Sequence, residues 1–176
     1  MSNQSDSRQE KIKEYLKNLE KLGNGEKAAL KRSIGQTLSN ADGNALSAFY
    51  KAMPYDSYAK QENAFFLIGT FVCYWKDIDD SKLSFVECLR KIRDESDSLD
   101  RKVIALLDTD FSEQEDYFVG KLSRLIRMIK QKGYKPDFNE LLNDLLLWNL
   151  ENRSIQRKWA RAYFGYINFD KNKEEK

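Results

Sequence analysis

The 176-residue chain contains no histidine. That absence removes the commonest general base, the Ser-His-Asp arrangement and every His-ligated zinc site. Cysteine is almost as scarce: Cys73 and Cys88 sit in apolar helical patterns without C-x-x-C spacing. Two separated cysteines cannot build a structural zinc site alone, and their setting implies reduced, packed thiols. Proline occurs only at 54 and 136, so long helices are permitted almost throughout. No apolar run is long enough to span a bilayer. The longest, Ala64 to Trp75, contains Gly69 and Thr70 and reads as a buried helix. The opening MSNQSDSRQEK lacks the hydrophobic core of a signal peptide, so a cytoplasmic location is expected. Gly23-Asn24-Gly25-Glu26-Lys27 lacks the spacing of a phosphate-cradling P-loop.

What remains is helical. Apolar residues recur at helical spacing in 9–22 (Ile12, Tyr15, Leu16, Leu19, Leu22), 26–34 (Ala29, Leu30, Ile34) and 45–53 (Leu46, Phe49, Tyr50, Met53). Glu62 to Trp75 is hydrophobic nearly all round, the mark of a central helix. Further amphipathic stretches follow at 83–92, 98–107, 112–132, 137–148 and 153–169. Asn24, Ser98, Ser112 with Glu115, and Asp137 with Glu140 are candidate helix caps. Alternating strand patterns are missing. An all-α fold of two small helical bundles in tandem is expected, residues 9–95 and 96–169, divided at the polar Glu95–Ser98. Residues 1–8 read as disordered, as does 171–176, a charged tail with nothing apolar to bury.

The charges are placed unevenly. Thirty Lys and Arg nearly balance 28 acids, yet Tyr117 to Pro136 carries Lys121, Arg124, Arg127, Lys130, Lys132 and Lys135 with no acid. Asn152 to Phe169 adds Arg153, Arg157, Lys158 and Arg161, again without one. Lys121, Arg124, Arg127 and Lys130 stand opposite the apolar face of their helix. Arg153, Arg157 and Arg161 form an i, i+4, i+8 row. Lys27, Lys31 and Arg32 give a smaller basic surface earlier, and Arg101 and Lys102 lie off the core face of a fourth helix. Such rows suit sequence-independent contacts to phosphate; a solvated helix face, or a helical adaptor that binds only proteins, would carry the same pattern. Tyr163, Phe164, Tyr166 and Phe169 flank the last row and are candidates for base stacking or for core. Asp77, Asp79 and Asp80 lack the D-x-D-x-D-G pattern of a calcium loop, and Glu113, Glu115 and Asp116 read as capping and surface acids. No metal, cofactor or catalytic residue is expected.

Five segments occur in register: L-G-N-G-E-K-A-A-L-K-R (Leu22 to Arg32), A-F-Y (Ala48 to Tyr50), L-S-R-L-I-R-M-I (Leu122 to Ile129), D-L-L-L-W (Asp144 to Trp148) and R-K-W-A-R-A-Y-F (Arg157 to Phe164). Together they resemble the small subunit of the type I-E CRISPR Cascade complex, the CasB-type family. The resemblance runs from about Leu16 to Phe164 and weakens between Tyr55 and Asp97. It implies a non-catalytic, all-helical subunit that packs against backbone and large subunits and a second copy of itself. It also implies contacts to crRNA, target DNA and the displaced single strand, with guide pairing supplying sequence specificity. The family's basic positions match at Lys31, Arg32, Arg101, Lys102, Arg124, Arg127, Arg157 and Lys158, with Lys for Arg at 31.

Overall fold

A computed structural model of the chain describes residues 2–54, 59–75 and 82–165. Among these the fold is all-α, without strands. Its helices are α1 (Ser2–Lys21), α2 (Asn24–Arg32), α3 (Gly43–Ala52), α4 (Glu62–Val72), α5 (Phe85–Ile92), α6 (Ser98–Leu107), α7 (Glu115–Gln131), α8 (Phe138–Leu146) and α9 (Ser154–Phe164). Asp77, Asp79, Asp80, Tyr166, Phe169 and the charged tail 171–176 lie outside the described residues.

As its all-round apolarity implied, α4 is central. Every residue from Ala64 to Phe71 is buried, and the helix packs on α1, α2, α7 and α8. α1 can cross it closely because Gly69 has no side chain. The Tyr15 hydroxyl lies over Gly69 and donates to the Phe65 carbonyl at 2.7 Å. Tyr15, Phe49, Phe65 and Phe66 meet edge-on around this crossing, with centroids 5.0 to 6.2 Å apart. A second run of rings begins at Phe85 of α5 and passes through Trp159 of α9, Trp148 and Phe118 of α7 to Phe111. The two groups belong to one contiguous buried cluster. α5 packs on α7 and α9, while α8 packs back on α1 and α4.

Several local expectations need correction. Residues 2–8 are helical: Arg8 and Gln9 both donate to Asn143 Oδ1 of α8, at 2.9 and 3.1 Å, which ties down the first turns of α1. Asn24 does not cap α2; Gly23 holds the cap position and its N–H donates to Glu26 Oε2 at 2.9 Å. Ser98 is the first residue of α6, and its hydroxyl accepts from Lys102 Nζ at 2.6 Å. The Ser112–Glu115 capping box does not form. Asp110 Oδ1 instead gathers the N–H of Ser112, its hydroxyl and the N–H of Glu113 at 2.7 to 2.8 Å, a side-chain turn before α7. Asp137 caps α8 as its position predicted, and an unforeseen Ser84–Glu87 box starts α5. Tyr50 is half exposed at the edge of the core, its ring 4.9 Å from that of Phe49.

A Cβ added at Gly69 would stand 2.3 Å from the Tyr15 hydroxyl oxygen. Gly69→Ala is therefore expected to lower stability by about 1–3 kcal/mol despite the better helix propensity of alanine. Tyr15→Phe removes the clashing atom, so a double-mutant cycle followed by thermal melts should show Gly69→Ala costing less when it is combined with Tyr15→Phe. Equal costs in both backgrounds would rule the contact out as the cause.

Candidate nucleic-acid interface

The apolar stripe of α7 fixes where its cations point. Phe118, Leu122, Leu125, Ile126 and Ile129 are buried, which turns Lys121, Arg124 and Arg127 away from the core. α6 packs beside α7, burying Leu99, Val103 and Leu106 and leaving Arg101 and Lys102 exposed. The two outward faces meet in a groove of about 290 Å³ lined by Ser98, Arg101, Lys102, Ala105, Lys121 and Arg124. Four of these six residues are cationic and none is acidic. Arg101 has a loose partner in Asp97, at 4.0 Å with both side chains exposed, a pairing of little strength in water. Asp100, the acid next to Arg101 in sequence, is occupied elsewhere. It accepts Arg93 Nε and Nη2 at 2.9 and 2.7 Å and the Tyr163 hydroxyl at 2.7 Å. The Arg93 hydrogen bond, helped by Tyr163, holds its carboxyl below the usual range.

The basic surface continues past the groove. Arg127 Nη2 donates to the Ile34 carbonyl at 3.4 Å, joining α7 to the turn after α2, where Arg32 is exposed and Lys31 half-buried. Gly35 makes that turn with φ +86. Arg101, Lys102, Lys121, Arg124, Arg127, Lys31 and Arg32 thus follow one another over α6, α7 and the end of α2.

Other predicted contacts have intramolecular roles. The Lys130 ammonium lies 3.7 Å from the Tyr74 ring centroid, near Trp75, and donates to the Tyr74 carbonyl. Lys27 donates to the Glu20 carbonyl at 2.8 Å and, with Lys31, borders a largely apolar cavity of about 380 Å³ beside Cys73 and Trp75. The row 153–157–161 is broken at its first member. Arg153 precedes α9 in a left-handed conformation (φ 51) and donates to the Leu107 carbonyl at 2.7 Å, closing the end of α6. Lys158 turns to Asp144 Oδ1 and Oδ2, at 2.8 and 3.0 Å, and to Glu140 at 3.1 Å. Burial works against its charge, but the two carboxylates outweigh it and raise its pKa. Arg157 and Arg161 remain exposed.

The aromatics also sort differently from their order in sequence. Tyr163 is buried, and Phe164 is half-buried edge-on against it at 4.7 Å, so Tyr163 belongs to the core. Tyr117, which no sequence pattern above singled out as an aromatic, is 69% exposed at the start of α7, and Lys121 Nζ lies 5.2 Å from its ring centroid. The i, i+4 spacing of these two residues was the available signal.

Among the described residues no group of three acids or cysteines is placed to hold a metal ion, and no helix is long and apolar enough to cross a membrane. Glu115 accepts from Asn63 Nδ2 at 3.2 Å; burial, with Asp116 beside it, raises its pKa. Both thiols are free, and burial pushes each up to about 11, far from a reactive thiolate.

Both the fold and the sequence of this all-helical chain have known relatives. A crystal structure of a Cse2-family protein from Thermus thermophilus has a TM-score of 0.74 at 22% identity, covering 89% of this chain and 97% of that one. CasB of M. ruber gives 0.71 at 20% identity, covering 94% and 96%. A chain of a CRISPR RNA-guided surveillance complex gives 0.72 at 19% identity, covering 95% and 99%. In sequence, a CRISPR-associated protein Cse2 of Thermus thermophilus is 26% identical over 166 residues, 89% of each chain. The sequence model of CRISPR-associated protein Cse2 matches residues 26–164. The chain belongs to the Cse2 family.

Removing the Lys158 ammonium would leave the buried Asp144 to the Trp159 indole N–H, at 2.7 Å, without a countercharge from α9. Lys158→Ala is expected to cost on the order of 1–3 kcal/mol and to lower Tm by several degrees. Arg157→Ala, one residue away, should change stability by less than about 0.5 kcal/mol. Calorimetry of the two variants separates the structural cation from the surface one.

Proposed function

We propose that the chain is the non-catalytic small subunit of the crRNA-guided Cascade surveillance complex, and that its α6–α7 groove holds a nucleic-acid backbone without regard to sequence. The observation that carries this is the convergence of Arg101, Lys102, Lys121 and Arg124 from two helices on one groove lined by no acid. Phosphates are the ligand such a groove suits, and each contact releases condensed counterions. Membership of the Cse2 family supports the assembly: backbone subunits, the large subunit and a second copy of this chain as partners, crRNA and target DNA as ligands. Guide pairing reads the sequence, and this surface steadies the opened target or the displaced single strand.

In this reading the chain works within a cytoplasmic ribonucleoprotein. Arg127, Lys31 and Arg32 extend the track from the groove, and Arg157 and Arg161 offer a separate patch on α9. Lys130, Arg153 and Lys158 serve the fold, and no cofactor or metal takes part.

Four groove cations on a single strand should give a slope of log K against log salt of about −3, from roughly −0.7 per phosphate. Arg101→Ala with Arg124→Ala should halve that slope with little change in Tm. Arg124→Ala with Arg127→Ala should shorten R-loop lifetime in the assembled complex. Co-expression with the neighbouring genes and a CRISPR array should recover this chain stoichiometrically with crRNA. Assembly with partners but no salt-sensitive binding to nucleic acid would instead make it a protein adaptor.

A further inference from the structure

Among the described residues, Tyr117 is the most exposed of the large hydrophobic side chains. Isolated apolar residues at a surface are common and need no explanation; the neighbours of this one set it apart. Lys121 both lies 5.2 Å from the Tyr117 ring centroid and lines the basic groove. At about 100° per residue, Lys121 and Arg124 point within about 40° and 20° of Tyr117, one and two turns further along α7. The acids before it point away, Asp116 by about 100° and Glu115 by about 160°. Glu115 is also turned to Asn63. The ring and two groove cations therefore form a single stripe about 10 Å long.

We propose that Tyr117 is a stacking platform for one unpaired base, placed so that the adjoining phosphate enters the α6–α7 groove. This rests on the phosphate-binding reading of the groove and narrows its ligand to a single strand, because a paired base keeps both faces covered by its neighbours. Lys121 serves both partners: its ammonium approaches the ring, and it offers charge to the phosphate in the groove. Tyr163, one of the aromatics that sequence order placed beside a basic row, does not meet this need, since its side chain is buried in the core. Stacking adds affinity without reading base identity, because every base has a π-face.

The test uses the full chain and two fluorescent oligonucleotides of arbitrary sequence, one with all its bases and one abasic throughout, titrated by anisotropy at several salt concentrations. The wild-type chain is expected to bind the base-bearing strand at least about five-fold more tightly than the abasic one, the lower end of a single stacking contact. Tyr117→Leu should abolish that preference while leaving the salt slope and Tm unchanged; Tyr117→Phe should keep it. A Tyr117→Leu chain that still prefers the base-bearing strand overturns the platform and leaves the groove standing. Binding of neither strand, or binding without salt dependence, removes the phosphate reading and the platform with it.

Discussion

Trp148 touches both Phe118 of α7 and Trp159 of α9, with centroids 5.1 and 4.9 Å away, and the orientation of both helices follows from that contact. The indole is fully buried and donates to the Thr109 carbonyl at 3.0 Å, so it is fixed by packing and by a satisfied polar atom. A ring this large cannot be displaced without opening a cavity that costs several kcal/mol. α7 must keep Phe118 inward, and its basic side is thereby held outward. Trp159 does the same for α9, with its N–H on Asp144. The interior carries the apolar work so that the outer faces can be given over to charge.

That division also explains which parts were legible in sequence. Helix faces are encoded locally: the inward set of α7 and the outward Lys121, Arg124 and Arg127 are spaced by the helix's own period, and the structure has them so. What a given cation does once outward is encoded nowhere near it. Lys130 finds Tyr74, 56 residues earlier; Arg153 finds the end of α6, 46 residues earlier. Lys158 shares its half-turn with Arg157, and only the arrival of Asp144 from α8 separates their roles. The first turns of α1 carry no apolar signal, and their anchor on Asn143 is a contact across 134 and 135 residues. The groove itself required knowing that α6 lies against α7, which neither helix's period states.

Pairing two modest helices produces a field that neither would have alone. Arg101 and Lys102 are an ordinary doublet, and Lys121 and Arg124 an ordinary surface pair. Set face to face across a groove with Asp100 withdrawn onto Arg93 and Tyr163, they concentrate positive potential in a chain whose net charge is only +2. Withdrawing a carboxylate alters the surface as much as adding a lysine would.

The buried thiols have a counterpart in the missing histidines. With Cys73 and Cys88 held near 11 and no imidazole anywhere in the chain, no side-chain class with an ordinary pKa near neutrality is present. Acidification within the physiological range therefore meets no histidine through which to charge this surface. An anion held there, as proposed, would feel a change of pH little and the concentration of competing ions far more.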